Sequence, residues 1–267
     1  MKNSGIWWDV SWNPMTGCTH VSEACDHCYA ERMARRFNLR DLRDGERVSI
    51  DNYFVPRFHP DRLDAPLHWR KPRRIFVCSM SDLFHEAFTD LSVGRVLDVI
   101  RECPQHTFVI LTKRPERMRH VMHDIELNHH RDHHLPNLWL GVTVENQARA
   151  DERIPILLDT PAAVRFVCCE PLLGAVDLVR GHQWAKGCLT DHYKAPIDWV
   201  IVGGENGPGA RPMKPEWALG LYQQCKAAGV PFWWKGPGSK GVGPYSKDDT
   251  DNAIDMMCCH KLPSVQS

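Results

Sequence analysis

The chain has 267 residues, of which 43% are hydrophobic and 25% are charged, so it is long enough to bury one sizeable core. Its 33 Lys and Arg residues balance its 33 Asp and Glu residues, which excludes a uniformly basic protein drawn as a whole to nucleic acid or to an anionic membrane. We expect one α/β domain over residues 1–267, with loop insertions near residues 38–60 and 181–196.

Apolar runs alternate with helical stretches along the chain. The first strand is predicted at residues 6–10, and a helix follows at residues 30–37. Six further strands are predicted at residues 74–78, 107–111, 138–142, 164–168, 199–202 and 230–234. Further helices are predicted at residues 91–102, 116–127, 147–158 and 215–228.

The alternation of strands and helices predicts βαβ units and a parallel sheet. The predicted strands are continuously apolar, as in sheets that are buried on both faces. Seven strand candidates are fewer than a closed barrel of eight requires. We therefore predict an α/β fold with a partial (β/α) barrel of about six to seven parallel strands, and a doubly wound sheet is the alternative.

Most of the predicted strands end in a short polar or glycine-rich segment. The carboxyl ends of parallel strands meet at one edge of the sheet, where barrels and open α/β sheets bind their ligands. We call this edge the mouth. The polar residues expected around the mouth are Ser79, Ser81, Asp82, Lys113, Arg114, Thr143, Glu145, Asn146, Glu170, Glu205 and Lys235.

Three cysteines follow the first predicted strand: Cys18, then six residues, Cys25, then two residues, Cys28. Three clustered thiolates suit a soft metal centre. A [4Fe-4S] cluster held by three cysteines keeps one iron open for a ligand that is not protein, as radical S-adenosylmethionine (SAM) enzymes require. Structural zinc, with His20 or His27 as a further ligand, is one alternative. Cysteines that bind no metal are the other.

The cysteines stand within Trp12-Asn13-Pro14, Thr16-Gly17-Cys18 and Cys25-Asp26-His27-Cys28-Tyr29. These segments resemble the opening of a radical-SAM-like family of phage and bacterial proteins, named only as a phage-protein domain of unknown function with a three-cysteine motif. The resemblance continues through residues 79–85, 111–117, 139–146, 151–155, 170–172 and 203–205. It implies radical-SAM-like chemistry and names no reaction. The spacing here is six then two residues, whereas radical-SAM enzymes usually have three then two.

The radical-SAM hypothesis gives several mouth residues a role. The open iron would bind the amino and carboxylate groups of SAM, and one electron would cleave the sulfonium to yield a 5′-deoxyadenosyl radical. Ser79, Ser81 and Asp82 are predicted to accept the SAM ammonium. Lys113 or Arg114 is predicted to pair with its carboxylate.

The remaining mouth residues are predicted to contact the ribose or the substrate. Glu145 and Asn146 could hold the ribose hydroxyls, and Glu170, Glu205 and Lys235 are the catalytic candidates. A nucleotide or a nucleic-acid base is the predicted substrate, by analogy with the occurrence of the family in phages. An electron donor is a required partner.

Two other functions are compatible with the sequence. The first is a non-catalytic iron–sulfur or zinc-binding module that recognises a partner. The second is a barrel hydrolase that uses Glu145, Glu170 and Glu205 as acid and base. Hydrolase activity would survive replacement of Cys25 and Cys28 by Ala, whereas radical-enzyme activity would not.

Cysteine usage also predicts the compartment. The chain has 11 cysteines, an odd number, and the clustered three favour metal binding in a reducing compartment over disulfides. No apolar run approaches the roughly 20 residues of a membrane span, and the first five residues are not typical of a secretory signal. We expect a cytoplasmic protein with no membrane partner.

Several other features are predicted to be structural. The ten tryptophans mainly fill the core, with stacking on a base or adenine as the alternative. The His-rich tract at residues 120–134 is expected to face away from the mouth. Residues 151–153 are predicted to form a solvated helix face. Cys258 and Cys259 are expected in the core, and a second metal cluster in a tail that folds over the mouth is the alternative.

Overall fold

The computed structural model describes residues 6–37, 53–128, 135–179, 197–240 and 259–263. The insertion expected at residues 181–196 lies outside the described residues, and so do residues 38–52 of the insertion expected near 38–60. In the described part of the chain, no helix is both long enough and apolar enough to cross a membrane.

The described residues form nine strands and five α-helices. The strands are β1 (Val10–Trp12), β2 (Met15–Thr16), β3 (Arg57–Phe58), β4 (Arg74–Val77), β5 (Thr107–Thr112), β6 (Leu138–Thr143), β7 (Val164–Cys169), β8 (Trp199–Gly203) and β9 (Phe232–Gly236). The helices are α1 (Tyr29–Phe37), α2 (Asp90–Glu102), α3 (Pro115–Asn128), α4 (Gln147–Leu158) and α5 (Pro215–Ala228).

Seven of these strands form one parallel sheet in the order β1-β4-β5-β6-β7-β8-β9. The sheet curls into a half-barrel flanked by helices, which confirms the predicted fold class. The strand order follows the chain without reversal. A doubly wound sheet reverses its order at a switch point, so that alternative is wrong. Strands β2 and β3 form a separate antiparallel ribbon.

Most predicted elements agree with the structure to within two residues. Helices α4 and α5 have the predicted bounds. Helix α2 begins at Asp90 because the Thr89 hydroxyl caps it, accepting from Ser92 N at 3.2 Å. The prediction of a first strand at residues 6–10 is wrong. Trp7 precedes β1 instead, and its ring is packed inside the half-barrel.

The side chains of each strand alternate between two apolar layers. In β7, Val164, Phe166 and Cys168 belong to the inner layer, whereas Val167 and Cys169 pack in the outer layer with the helices. Because both layers are buried, every position of the strand favours an apolar residue. This double burial explains the continuous apolar runs in the sequence.

Aromatic rings fill most of the inner layer. Trp199 is fully buried, and the ring centroids of Trp7, Trp139, Phe166 and Trp233 lie 5.6–6.1 Å from its own. The contacts are tilted or edge-to-face, the geometry that aromatic pairs prefer. The inside of the half-barrel is therefore a packed core, and the prediction that tryptophans fill the core is confirmed.

A glycine in β6 makes room for one of these rings. Gly141 pairs in register with Phe166 of β7, and a Cβ at Gly141 would lie only 2.4 Å from the Phe166 ring. The ring has little freedom to move, because Trp7 and Trp199 pack against it.

We expect Gly141→Val to lower the free energy of unfolding by about 1–3 kcal/mol, because the added methyl groups overpack the inner layer. Urea unfolding followed by circular dichroism measures the change. The matched control is Gly94→Ala in α2, where a Cβ meets nothing within 4 Å. That control should gain up to about 1 kcal/mol of stability. Equal stability of Gly141→Val and the wild type would contradict the close packing at β6.

Candidate metal and cofactor site

The three cysteines lie on one loop, residues 18–28, which we call the Cys loop. The chain enters it through Gly17, which has a φ of +80° and whose Cβ, if present, would lie 2.1 Å from Val55 O. The Gly17 N–H donates to Met80 O at 2.9 Å. The Ser81 hydroxyl donates to Gly17 O at 2.6 Å. These bonds hold the start of the loop beside the end of β4.

Cys25 and Cys28 lie at two helical turns that follow each other in the chain. Cys25 ends the 3₁₀ turn Glu23–Cys25, and its carbonyl accepts from the Cys28 N–H at 3.1 Å. The Cys28 carbonyl in turn accepts from Arg32 N at 3.1 Å, in the first turn of α1. Cys25 is buried, and Cys18 and Cys28 are partly exposed. None of the three is in a disulfide.

Asp82 joins the ends of β4 and β5. Its buried carboxylate accepts from the Thr112 hydroxyl at 2.7 Å and from the N–H groups of Phe84 and Lys113, both at 3.0 Å. It also lies 3.4 Å from the Arg114 guanidinium. A buried carboxylate needs such donors to replace water. These protein groups engage Asp82 fully, and its role toward the SAM ammonium stays a prediction.

Arg114 connects the end of β5 with the Cys loop. Its Nη2 donates to Thr19 Oγ1 at 2.9 Å, and its Nε donates to Glu86 at 2.9 Å. Its Nη1 donates to Cys18 Sγ at 3.5 Å. Burial, aided by the charge of Asp82, raises the pKa of Cys18 to about 11, while Arg114 acts in the opposite direction.

The end of β6 binds the middle of the Cys loop. Glu145 is fully buried and pairs with Arg153 of α4 at 3.0 Å. It also accepts a hydrogen bond from the Ser22 hydroxyl. The next residue, Asn146, caps α4 and donates to Glu23 of the loop. Both predicted ribose ligands are therefore bonded to protein groups.

The end of β8 binds the last part of the loop. Glu205 accepts from Arg211 Nη2 at 2.5 Å and from the His27 ring nitrogen Nδ1 at 2.9 Å. Arg211 Nη2 also donates to Glu23 O at 2.8 Å. Burial alone would raise the pKa of Glu205, but the hydrogen bonds from Arg211 and His27 lower it to about 2.

Lys235 and Glu170 form an ion pair inside the mouth. Lys235 Nζ lies 2.5 Å from Glu170 Oε2 and 5.4 Å from the centre of the Trp8 ring. Burial would lower the pKa of Lys235, but Glu170 raises it overall. Cys168 lies near this pair. Burial raises the pKa of Cys168 to about 12, against the opposing charges of Lys235 and Lys113.

The structure thus gathers most of the predicted site residues around the Cys loop and α1. The Ser79 carbonyl accepts a hydrogen bond from the Tyr29 hydroxyl at the start of α1. The residues that contact the loop or α1 directly are Ser79, Arg114, Glu145, Asn146 and Glu205, and Ser81 contacts Gly17 immediately before the loop. Glu170 and Lys235 pair with each other.

Sequence reasoning missed two arginines that organise the mouth, Arg153 and Arg211. Residues 151–153 were predicted to be a solvated helix face, and this prediction is wrong for Arg153, which is 1% exposed. A signal was available, because Arg153 stands on the same helical stripe as the buried Ala150, Ile154 and Leu157. A charged residue on an apolar stripe indicates a buried partner, here Glu145.

Two other predicted features lie away from the mouth or outside the described residues. Of the His-rich tract, residues 129–134 are outside, and His123 on α3 bonds Asp159 O at 2.9 Å. Cys258 is also outside the described residues. Cys259 is buried in the outer layer and donates to Phe232 O at the start of β9, so its thiol is not at the mouth.

The donor set can be compared with the needs of a metal centre. Within the described residues, no three His, Cys, Asp or Glu side chains are arranged to hold a metal ion. Cys18 is turned toward Arg114 and its thiol donates to Thr19 O at 3.5 Å. The three thiols share one loop over the mouth, and their chemistry suits iron or zinc. The described geometry does not bring the three thiols together around one centre.

Residues 3–263 match the family described as protein of unknown function (DUF5131). The chain belongs to this family. No curated protein and no solved structure matches the chain. The DUF5131 description names no reaction, so the chemistry of this member must be inferred from its site.

We expect Glu205→Gln to flatten the acid limb of the stability curve. The folded pKa of Glu205, about 2, lies below its ordinary value of 4.5. Its ionised form therefore stabilises the fold above pH 4.5, and this contribution is lost as the pH falls toward 2. The wild type should lose more stability than Glu205→Gln over that range in urea unfolding.

At pH 7 the same variant should be about 1.5–3 kcal/mol less stable than the wild type, because charged hydrogen bonds to Arg211 are weakened. Glu216→Gln is the matched control. Glu216 is exposed on α5 and makes no ion pair with any described residue. Parallel pH curves for wild type and Glu205→Gln would contradict the assignment of the low pKa.

Proposed function

We propose that this DUF5131 protein is a radical SAM enzyme in which Cys18, Cys25 and Cys28 hold a [4Fe-4S] cluster. The observation that carries the proposal is the position of the Cys loop. It lies at the carboxyl ends of the parallel strands and is bonded to residues that follow β4, β5, β6 and β8. Parallel α/β barrels carry their reactive groups at this edge.

The chemistry of the donor set supports an iron–sulfur centre. Three cysteine thiols are soft ligands, and three of them suit a cluster with one open iron. The guanidinium of Arg114, 3.5 Å from Cys18 Sγ, opposes the larger effect of burial, which raises the pKa of Cys18 to about 11, so the thiol would lose its proton on binding a metal. Such a cluster, when bound, supplies the electron that cleaves SAM reductively.

Hydrogen bonding at the mouth separates groups that already bind protein from groups that remain available to a ligand. Among the described residues predicted to bind SAM, only Lys113 has a side chain without a hydrogen bond or ion pair to another described residue. The charge of its ammonium lowers the pKa of the Cys168 thiol inside the mouth, against the larger effect of burial. We therefore assign the SAM carboxylate to Lys113 rather than to Arg114, which is already bonded to Glu86 and Thr19.

The second part of the proposal is the substrate, a nucleotide or a nucleic-acid base, whose attached phosphates would carry negative charge. Arg32 of α1 donates to the backbone carbonyls of Asn206 and Pro208 and pairs with no carboxylate in the described part of the chain. No carboxylate of the described residues therefore neutralises its positive charge beside the Cys loop. Glu170 and Lys235 form the pair best suited to hold or move a substrate proton.

The test is anaerobic reconstitution of the purified protein with iron and sulfide. We expect a cubane electron paramagnetic resonance signal after reduction, a change in that signal on adding SAM, and release of 5′-deoxyadenosine. Cys25→Ala and Cys28→Ala should lose all three. Cys225→Ala is the matched control, because Cys225 is buried on α5 in the outer layer, and it should keep them.

Other results would point elsewhere. Tightly bound zinc, or a cluster that does not respond to SAM, would overturn the radical mechanism in favour of a metal-binding module. Hydrolytic activity that survives Cys25→Ala would support a hydrolase. The nucleic-acid assignment predicts binding that weakens steeply with salt. Absence of binding at low salt would contradict it.

A further inference from the structure

We propose that one exposed face of α1 binds a single strand of nucleic acid and places one of its bases beside the Cys loop. The face consists of Tyr29, Arg32, Met33 and Arg36, and we call it the α1 face. This inference rests on the substrate part of the proposed function, for which it names the binding surface and the form of the nucleic acid. It requires no property of a bound cluster.

Helical periodicity brings the four residues of the α1 face together. Positions i, i+3, i+4 and i+7 lie on one side of a helix, so these side chains form a single stripe. Tyr29 is 48% exposed and Met33 is 42% exposed. The packed side of the helix carries Ala30 and Ala34, which are at most 5% exposed. The small residues of α1 thus face the protein, and large side chains lie outside with arginines among them.

The Tyr29 ring is held at one end and remains about half exposed. Its hydroxyl donates to the carbonyl oxygen of Ser79, the second residue after β4. Tyr29 also follows Cys28 directly, so the ring lies at the end of the Cys loop. A ring that is already held in place loses little conformational freedom when a base stacks on it. Tyr29 is therefore suited to be a stacking platform for one base.

The Arg32 guanidinium is held one helical turn further along. Its Nη1 donates to Pro208 O at 3.3 Å, and its Nη2 donates to Asn206 O. Gly207 between them has a φ of +100°, and a Cβ there would lie 2.5 Å from Arg32 Nη2, so glycine makes room for the guanidinium.

These two bonds leave other donors of Arg32 available. A guanidinium has five N–H donors in a rigid fork. Arg32 bonds no further acceptor among the described residues and pairs with no carboxylate there. A charged fork that is fixed in place and has spare donors matches a phosphate, which accepts two parallel hydrogen bonds.

The charge of α1 favours a polyanion as the partner. The helix has three arginines and one acidic residue, Glu31, which bonds the Tyr53 hydroxyl at 3.1 Å and the His20 ring at 3.0 Å. Nucleic acid offers phosphates to the guanidinium and flat bases to the ring, whereas an acidic peptide offers only the charge. A duplex keeps the faces of its bases inside the stack, so the exposed ring of Tyr29 selects a single strand.

The experiment is fluorescence anisotropy of a labelled single-stranded oligonucleotide of about 12 nucleotides, titrated with the full chain without SAM. We expect Arg32→Gln to weaken binding about three- to tenfold at low salt and to reduce the slope of log affinity against log salt by about 1, because one phosphate contact is lost. The matched control is Lys226→Gln, which lowers the net charge equally. Lys226 is exposed in the last turn of α5, before β9 begins.

Tyr29→Ala removes the stacking platform and should weaken binding about 5- to 100-fold. Tyr29→Phe keeps the ring and loses only the bond to Ser79 O, so it should lose much less affinity. Equal losses in the two variants would overturn the stacking role of the ring.

Met33→Glu is the second variant, in case Tyr29→Ala does not fold. Met33 is exposed, so the change adds a negative charge to the α1 face without disturbing the core, and binding should weaken about three- to tenfold at low salt. Met33→Gln, a neutral residue of similar size, should bind like the wild type.

The remaining outcomes separate this inference from the proposed function. Wild-type affinity in every α1 variant would overturn the α1 face alone. A wild type that binds no single strand at low salt would overturn the α1 face together with the nucleic-acid substrate. Equal affinity for a duplex, or equal displacement by polyglutamate, would overturn the single strand as the partner. The test of the cluster is independent of all three results.

Discussion

Buried ion pairs at the carboxyl ends of the strands hold the Cys loop, and the rest of the mouth depends on them. Asp82 pairs with Arg114, and Glu145 pairs with Arg153, with all four side chains at most 8% exposed. Buried charges are tolerated only with partners, so loss of one member leaves the other uncompensated. In the described structure, Arg114 also bonds the loop at Thr19, and Glu145 bonds it at Ser22. The position of the cysteines is therefore coupled to strand-end electrostatics.

The aromatic inner layer lies beneath the polar groups of the mouth. Trp7 and Trp199 close the half-barrel from within, and Trp8 lies beneath the ammonium of Lys235. Cys168 joins the same layer near the carboxyl end of β7. The Lys235–Glu170 ion pair lies beside this layer, with the Lys235 ammonium over the Trp8 ring. An apolar layer beneath these two charges lowers the local dielectric and strengthens the interaction between them.

Two kinds of polar residue meet at the mouth, and their hydrogen bonds distinguish them. Asp82, Glu145 and Glu205 satisfy their acceptors with protein donors, and they shape the site. Lys113 and Arg32 carry charge that no carboxylate among the described residues neutralises. Among the described residues, the frame of the mouth is thus internally paired, and the charge without a carboxylate partner is cationic.

The sequence by itself determined the fold class, because double burial imposes continuous apolar strands and helical periodicity between them. It also determined which polar residues reach the mouth, since carboxyl ends of parallel strands share one edge. Only the tertiary structure decided which of these are bonded to each other. His27 and Glu205 are 178 positions apart in the chain, and they meet because strand order and register bring them together. Pairings of that kind, like the burial of Arg153, depend on the packed geometry rather than on any local pattern.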